Sequence, residues 1–125
     1  MSDILRTPIE EMPTKSKVAI HRFPGGGGLM WCVATSRDLT LDLPGQAADA
    51  LAVIDGYLTA HGLDRTRIMR AEVIVTDHAR KAEFDAVWAQ WMPPGAGPVR
   101  SFIQSVMPEG DLVEIIMTVA LPRDV

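Results

Sequence analysis

The sequence predicts an α+β fold, a mixed β-sheet built in the order β-β-α-β-α-β-β with both helices on one face. Two apolar stripes of helical spacing, strand-like alternation on either side of them, and Gly/Pro clusters at the junctions carry that prediction. Residues 1–15 hold Asp3, Glu10 and Glu11 with Pro8 and Pro13 and show little periodicity. They are expected to form an irregular N-terminal arm ahead of a single domain over residues 16–125.

Lys17 to Phe23 reads as extended chain, and Leu29-Met30-Trp31-Cys32-Val33-Ala34 is an apolar run too short for a core helix. With Gly25 to Gly28 between them, the two segments predict a hairpin whose turn needs positive φ angles. Asp42 and Pro44 signal a helix start; Ala47, Ala50, Leu51, Ile54 and Leu58 continue the stripe until Gly62 stops it. Ile68 to Val75 follows as a strand, with Met69, Ala71, Val73 and Val75 assigned to one face and Arg70 and Glu72 to the other. A second helix starts near Asp77, lays Phe84, Val87, Trp88 and Trp91 on one stripe, and ends at Pro93 and Pro94. Strands from about Pro98 to Val106 and from Leu112 to Leu121 complete the chain. In the last of them Val113, Ile115, Met117, Val119 and Leu121 form one wholly apolar face, which is expected to pack on the helices.

At 125 residues the chain is long enough for one core without metal or disulfide staples. Hydrophobic residues make up 47% against 22% charged, which excludes a disordered chain and leaves apolar surface for self-association. A net charge of −4 without a Lys/Arg cluster argues against nucleic acid, where phosphate neutralisation supplies most of the affinity. No run approaches the roughly 20 apolar residues of a spanning helix. The single cysteine, Cys32, rules out an internal disulfide, and Met1 to Pro13 lacks a signal-peptide core, so a cytoplasmic location is expected. His21, His61 and His78 lack the spacing of a metal centre, and no metal is expected. Gly25 to Gly28 is followed by an apolar strand rather than Lys-Ser/Thr and a helix, so it reads as a turn and not a phosphate cradle.

Pro98-Val99-Arg100-Ser101-Phe102-Ile103 and Asp111-Leu112-Val113-Glu114-Ile115-Ile116 each place an ionisable residue inside a strand that otherwise reads as buried. Such a charge is costly unless a partner or ligand answers it. If the last two strands form a hairpin with Val106 opposite Leu112, then Gln104 faces Glu114, Phe102 faces Ile116 and Arg100 faces Thr118 on one surface. Arg100 and Glu114 would then stand roughly 13 Å apart at ~3.4 Å per residue, room for a small molecule between them. A guanidinium clamps a planar carboxylate by two parallel hydrogen bonds, and a carboxylate can orient a water by accepting its proton. The competing reading is that Arg100 pairs with an acidic group across a subunit interface.

Ala34-Thr35-Ser36, the helix from Gln46 to Gly62, Ile68 through Asp77, Phe84, Pro98-Val99-Arg100 and Val113-Glu114-Ile115 occur in an order and spacing that resembles the RidA (YjgF) family of reactive-intermediate deaminases, from about Met30 to Ala120. That resemblance implies a chorismate-mutase-like homotrimer whose sheets face a central barrel, with a cleft at each subunit boundary. It further implies hydrolysis of 2-imino or enamine acids, such as 2-iminobutanoate or 2-iminopropanoate, to 2-keto acids and ammonium, without metal or organic cofactor. In that scheme Arg100 binds the substrate carboxylate, Glu114 positions the hydrolytic water, and Phe102 falls where backbone groups meet substrate or water. Thr35-Ser36-Arg37-Asp38 departs from the family's Thr-Ser-Gly-Gln, which puts Arg37 beside the ligand. For the family's pocket tyrosine the nearest aromatic by spacing is Phe23, since Tyr57 lies in a helix, and the resemblance implies Phe23 as the substrate-binding aromatic. Phe102 also replaces a smaller residue, implying a reshaped pocket. Two other readings stand beside the enzyme: a non-catalytic sensor of keto acids or carboxylates, and an interaction subunit whose sheet face serves assembly. Members of this family have been described as ribonucleases or translation inhibitors, but no acid/base pair for RNA cleavage is evident here.

Overall fold

A computed structural model describes residues 3–124. Eight main elements follow one another: β1 (Ile4–Ile9), β2 (Met12–Arg22), β3 (Gly28–Thr35), α1 (Leu43–Ala60), β4 (Ile68–Val75), α2 (Lys81–Trp91), β5 (Val99–Gln104) and β6 (Val113–Leu121). The strands form one sheet in the order β1-β2-β3-β6-β4-β5, all pairs antiparallel except β4 with β5.

The stretch expected to be an irregular arm is a strand. Ile4 to Thr7 pair with His21 to Val18, and the hairpin tip falls at Glu10 and Glu11, so the boundary set at residues 15/16 lies inside β2. The prolines and acids that suggested irregularity occupy places where a strand tolerates them. Pro8 sits at a register shift on the sheet edge, where its missing N–H costs no regular ladder bond. Met1, Ser2 and Val125 lie outside the described residues.

The glycine turn between β2 and β3 is as expected. Gly26 has φ +98, and a Cβ there would stand 2.8 Å from the Arg123 carbonyl; one on Gly28 would stand 2.1 Å from that of His21. The same region holds Asp3 and Arg123, since Arg22 N–H donates to the Asp3 carbonyl at 3.0 Å and Gly27 N–H to the Arg123 carbonyl at 3.3 Å. Helix α1 starts where Asp42 caps it by accepting from Gly45 N–H at 3.0 Å, and ends before Gly62 at φ +69.

The largest difference from expectation concerns the last two strands, which are not a hairpin. β6 inserts between β3 and β4, and β5 lies at the far edge, parallel to β4 and reached through α2. A strand-helix-strand crossover favours parallel pairing. Burial also favours this placement: alternate β6 residues are all sealed, which suits a central strand, while Val99, Ile103 and Gln104 of β5 are exposed, which suits an edge. In β4, Met69 bulges out of register between Ile68 and Arg70 and is 58% exposed, so Ile68 rather than Met69 completes the buried face.

Both helices cover one face of the sheet. Phe84 of α2, Leu51, Ile54 and Leu58 of α1, and Met30, Val73, Ile115 and Met117 of the sheet make the fully buried layer between them. Burying a side chain such as Phe84 contributes about 1.5–3 kcal/mol. Arg65 fastens the two helices: its Nε and Nη2 donate to the two Asp55 oxygens at 2.9 and 2.8 Å, and its Nη1 donates to the Trp91 carbonyl at 2.7 Å. Trp91 Nε1 donates to the same Asp55 carboxylate at 2.9 Å. The other sheet face has no cover from the described residues and presents Trp31, Val33, Ile74 and Ile116. No helix among the described residues is long and apolar enough to cross a membrane.

Candidate functional site

Parallel pairing with β4 decides where Arg100 points. Arg100 stands beside Ala71 and Phe102 beside Val73, both on the helix-covered face, so neither shares a surface with Glu114. Arg100 facing Thr118 and Gln104 facing Glu114 are both replaced, because the partner strand is β4 and not β6. Arg100 therefore stands on the helix-covered face, and not on the open surface expected from a hairpin. Three features of α2 and β5 make it tolerable.

Arg100 Nη2 donates to Asp85 Oδ1 at 2.6 Å. Its guanidinium carbon lies 5.5, 5.3 and 5.7 Å from the ring centres of Phe84, Trp88 and Phe102, within cation–π range. The site is also at the sheet edge, so the side chain stays 17% exposed. The acidic partner thus comes from the chain's own helix α2. Asp85 Oδ2 accepts from Lys81 Nζ at 2.7 Å, and Lys81 Nζ lies 5.7 Å from the Phe102 ring centre. Partial burial raises the Asp85 carboxyl, but the hydrogen bonds from Lys81 and Arg100 outweigh it and leave its pKa below the ordinary range.

Glu114 lies on the uncovered face, between Thr35 of β3 and Ile74 of β4. It lines a groove of ≈ 1040 Å³ together with Lys15, Lys17, Thr35, Ser36, Arg37 and Tyr57. The groove opens where β2 and β3 part: their pairing ends at Val18 with Cys32, leaving Lys15 and Lys17 on one wall and Val33 to Thr35 on the other.

Arg37 is held at the mouth of that groove by Asp49 of α1. The Asp49 carboxylate accepts from Arg37 N–H at 2.6 Å, from Arg37 Nη2 at 2.7 Å and from Ser36 Oγ at 3.3 Å. These bonds, the Arg37 side chain first, hold the Asp49 pKa down at about 2. Gln46, fully buried, ties the same region to the start of β6, donating to the Gly110 carbonyl at 2.9 Å and accepting from Leu112 N–H at 3.0 Å.

The residues singled out from the sequence therefore fall into separate places. Arg100 and Phe102 form one cluster, Glu114 and Arg37 line one groove, and Phe23 joins neither. Phe23 packs edge-on against His21 in the glycine turn, with ring centres 5.3 Å apart. Sequence reasoning missed Lys81 and Asp85; their i,i+4 spacing around Phe84 on α2 was the available signal. It also missed Asp49, which helical spacing alone did not mark. No group of three or more His, Cys, Asp or Glu among the described residues could hold a metal ion. Burial pushes the Cys32 thiol up to about 12, which makes it an inert core group rather than a nucleophile.

Comparison with known proteins gives a consistent picture. The family model described as Endoribonuclease L-PSP matches residues 32–121. A RutC family protein of Haemophilus ducreyi is 31% identical over 85 residues, covering 67% of this chain and 73% of the relative. The RutC family protein YoaB of Escherichia coli K12 is 28% identical over 90 residues, covering 72% and 75%. Among solved structures, a YjgF-family protein from Neisseria meningitidis superposes with a TM-score of 0.82 at 25% identity, covering 98% of both chains. A Salmonella typhimurium protein designated a candidate translation initiation inhibitor gives 0.78 at 27% identity, covering 94% and 97%.

Proposed function

The chain belongs to the Endoribonuclease L-PSP family, the YjgF/RidA family, and from that membership we propose that it hydrolyses reactive 2-imino acids to 2-keto acids and ammonium. The observation that carries the reading is the Arg100 guanidinium. It is planted on three aromatic rings, and among the described residues it spends only one hydrogen bond, on Asp85. Its other N–H groups are left to receive a carboxylate bidentately.

Glu114 and Arg100 lie on opposite sides of one protomer's sheet, so a single chain cannot bring both to one substrate. We place the reaction at the boundary between copies in a homotrimer, where the Arg100 and Phe102 edge of one protomer meets the Glu114 and Arg37 groove of the next. A protonated imine is already electrophilic, and the protein has to fix its carboxylate and orient a water. Glu114 accepts a proton from that water as its oxygen bonds to the imine carbon. Glu114 passes that proton to the amine nitrogen; the C–N bond then breaks, the proton of the new hydroxyl goes to the departing ammonia to give ammonium, and the keto acid remains, with no covalent enzyme intermediate.

The experiment generates 2-iminobutanoate or related imino acids in situ with an amino-acid oxidase or dehydratase and follows keto-acid release above the spontaneous rate. Acceleration is expected, with kcat/KM falling roughly 100-fold or more in Arg100→Ala, about 2.7 kcal/mol of transition-state binding. No acceleration across a panel of imino acids would refute the deaminase.

One observation favours a second reading, a keto-acid or carboxylate sensor. Arg37, standing where the family's motif carries glycine, lines the groove with a side chain braced by Asp49. Ligand-induced thermal stabilisation that depends on Arg100, without turnover, would select that reading. Endonucleolytic cleavage, suggested by the family's name, is disfavoured by a net charge of −4 and the mixed charges of the groove.

A further inference from the structure

Building on that reading, we infer that Lys81, Asp85 and Arg100 form a cradle of two cations and one anion that is completed by the carboxylate of the ligand, so that Lys81 strengthens binding and Asp85 weakens it. Asp85 divides its two oxygens between the cations, Oδ1 to Arg100 Nη2 at 2.6 Å and Oδ2 to Lys81 Nζ at 2.7 Å. One carboxylate thus serves two positive charges, and the cluster carries a formal charge of +1.

Both cations also flank the same ring, each 5.7 Å from the centre of Phe102. A second carboxylate seated beside Phe102 would touch both cations and give an alternating, neutral arrangement of four charges. Aromatic walls on the inner side of Arg100 limit water there, which raises the strength of each charge contact over its value in open solvent. The elements suit such a role: Lys81 and Asp85 are one turn apart on α2, and Arg100 comes from the adjoining edge strand β5.

The arrangement makes a prediction of sign that mere anchoring of Arg100 would not. If Asp85 served only to position the guanidinium, its neutralisation would weaken ligand binding or leave it unchanged. As the internal competitor for two cations, its neutralisation strengthens binding. Asp85→Asn keeps an oxygen that can accept from Arg100 and removes the charge. Lys81→Met keeps the stem that lies beside Phe102 and removes the ammonium.

Binding of 2-oxobutanoate, a stable carboxylate probe, is to be measured by calorimetry on the full-length assembled protein. Lys81→Met should raise Kd about three- to five-fold and Asp85→Asn should lower it by a similar factor, the range of partly exposed charge pairs. The Lys81→Met variant should also show a shallower rise of Kd with sodium chloride. An unchanged or weaker affinity in Asp85→Asn overturns the cradle, as does an unchanged Kd in Lys81→Met. The surface position of Lys81 makes that variant decisive even if Asp85→Asn folds poorly. If the wild type binds the probe in an Arg100-dependent way but neither variant shifts Kd, only the cradle falls. If the wild type does not bind it, the carboxylate site at Arg100 falls with it.

Discussion

Two arginine–aspartate pairs in this protein have opposite designs. In the Arg100–Asp85 pair the arginine is the sheltered member, 17% exposed against 38% for its aspartate. In the Arg37–Asp49 pair the aspartate is sheltered, 19% exposed against 67%. The sheltered member shows what each pair holds in place. Asp49 gathers two backbone or side-chain groups of the loop after β3 in addition to a guanidinium, so its work is to fix a loop. Arg100 is gripped by rings, and its aspartate is an outer accessory shared with Lys81. One pair is a brace, and the other is a presented cation.

The largest effect should come from the platform beneath the presented cation. Phe84→Ala should cost about 3–5 kcal/mol in urea unfolding, because Phe84 is wholly buried and also underlies the Arg100 guanidinium. A loss under about 1 kcal/mol would mean that the rings do not hold Arg100 as described. Next, Asp49→Ala should cost about 1–3 kcal/mol by removing the charged acceptor shared by the Arg37 N–H and guanidinium, Ser36 Oγ keeping its bond to the Asp38 carbonyl, while Asp85→Ala should cost at most about 1 kcal/mol. The reverse order would invert the assignment of brace and accessory.

The smallest effect is one of pH. The folded-state pKa of Asp49 lies at about 2, below its ordinary 3.8, so its stabilisation is complete above about pH 4. It is lost as the pH falls through the folded value. Acid unfolding of Asp49→Asn should therefore differ from wild type most at neutral pH, the gap closing between about pH 4 and pH 2. A gap that stays constant over that window would show that the Asp49 charge is not what binds the loop.

Much of the scaffold could be read from residue order, and the site much less. Asp42, Gly62 and the stripe through Ile54 defined α1 because local signals set helix ends. The alternation of β6 correctly marked its helix-facing side. Strand partnership is non-local, and there the Pro/Gly turn at Met107 to Asp111 suggested a hairpin that the chain does not make. The crossover through α2 and the better-buried alternation of β6 were the stronger cues. That single topological error carried Arg100 to the wrong face, since a change of partner strand changes which side chains align. Glu114, near the start of β6, and Arg37, in the loop after β3, both line the groove. Phe23 does not, and its spacing relative to the family's pocket tyrosine says nothing about which end of the sheet it occupies.

The glycine turn and the groove lie at opposite ends of β3, roughly 24 Å apart at ~3.4 Å per residue. Asp3 and Arg123 are both fastened to that turn. Polypeptide appended at either flank, whether an affinity tag or a reporter domain, departs from the pole remote from the cavity. Such fusions should leave the groove, and the β5 edge proposed to meet it, unobstructed.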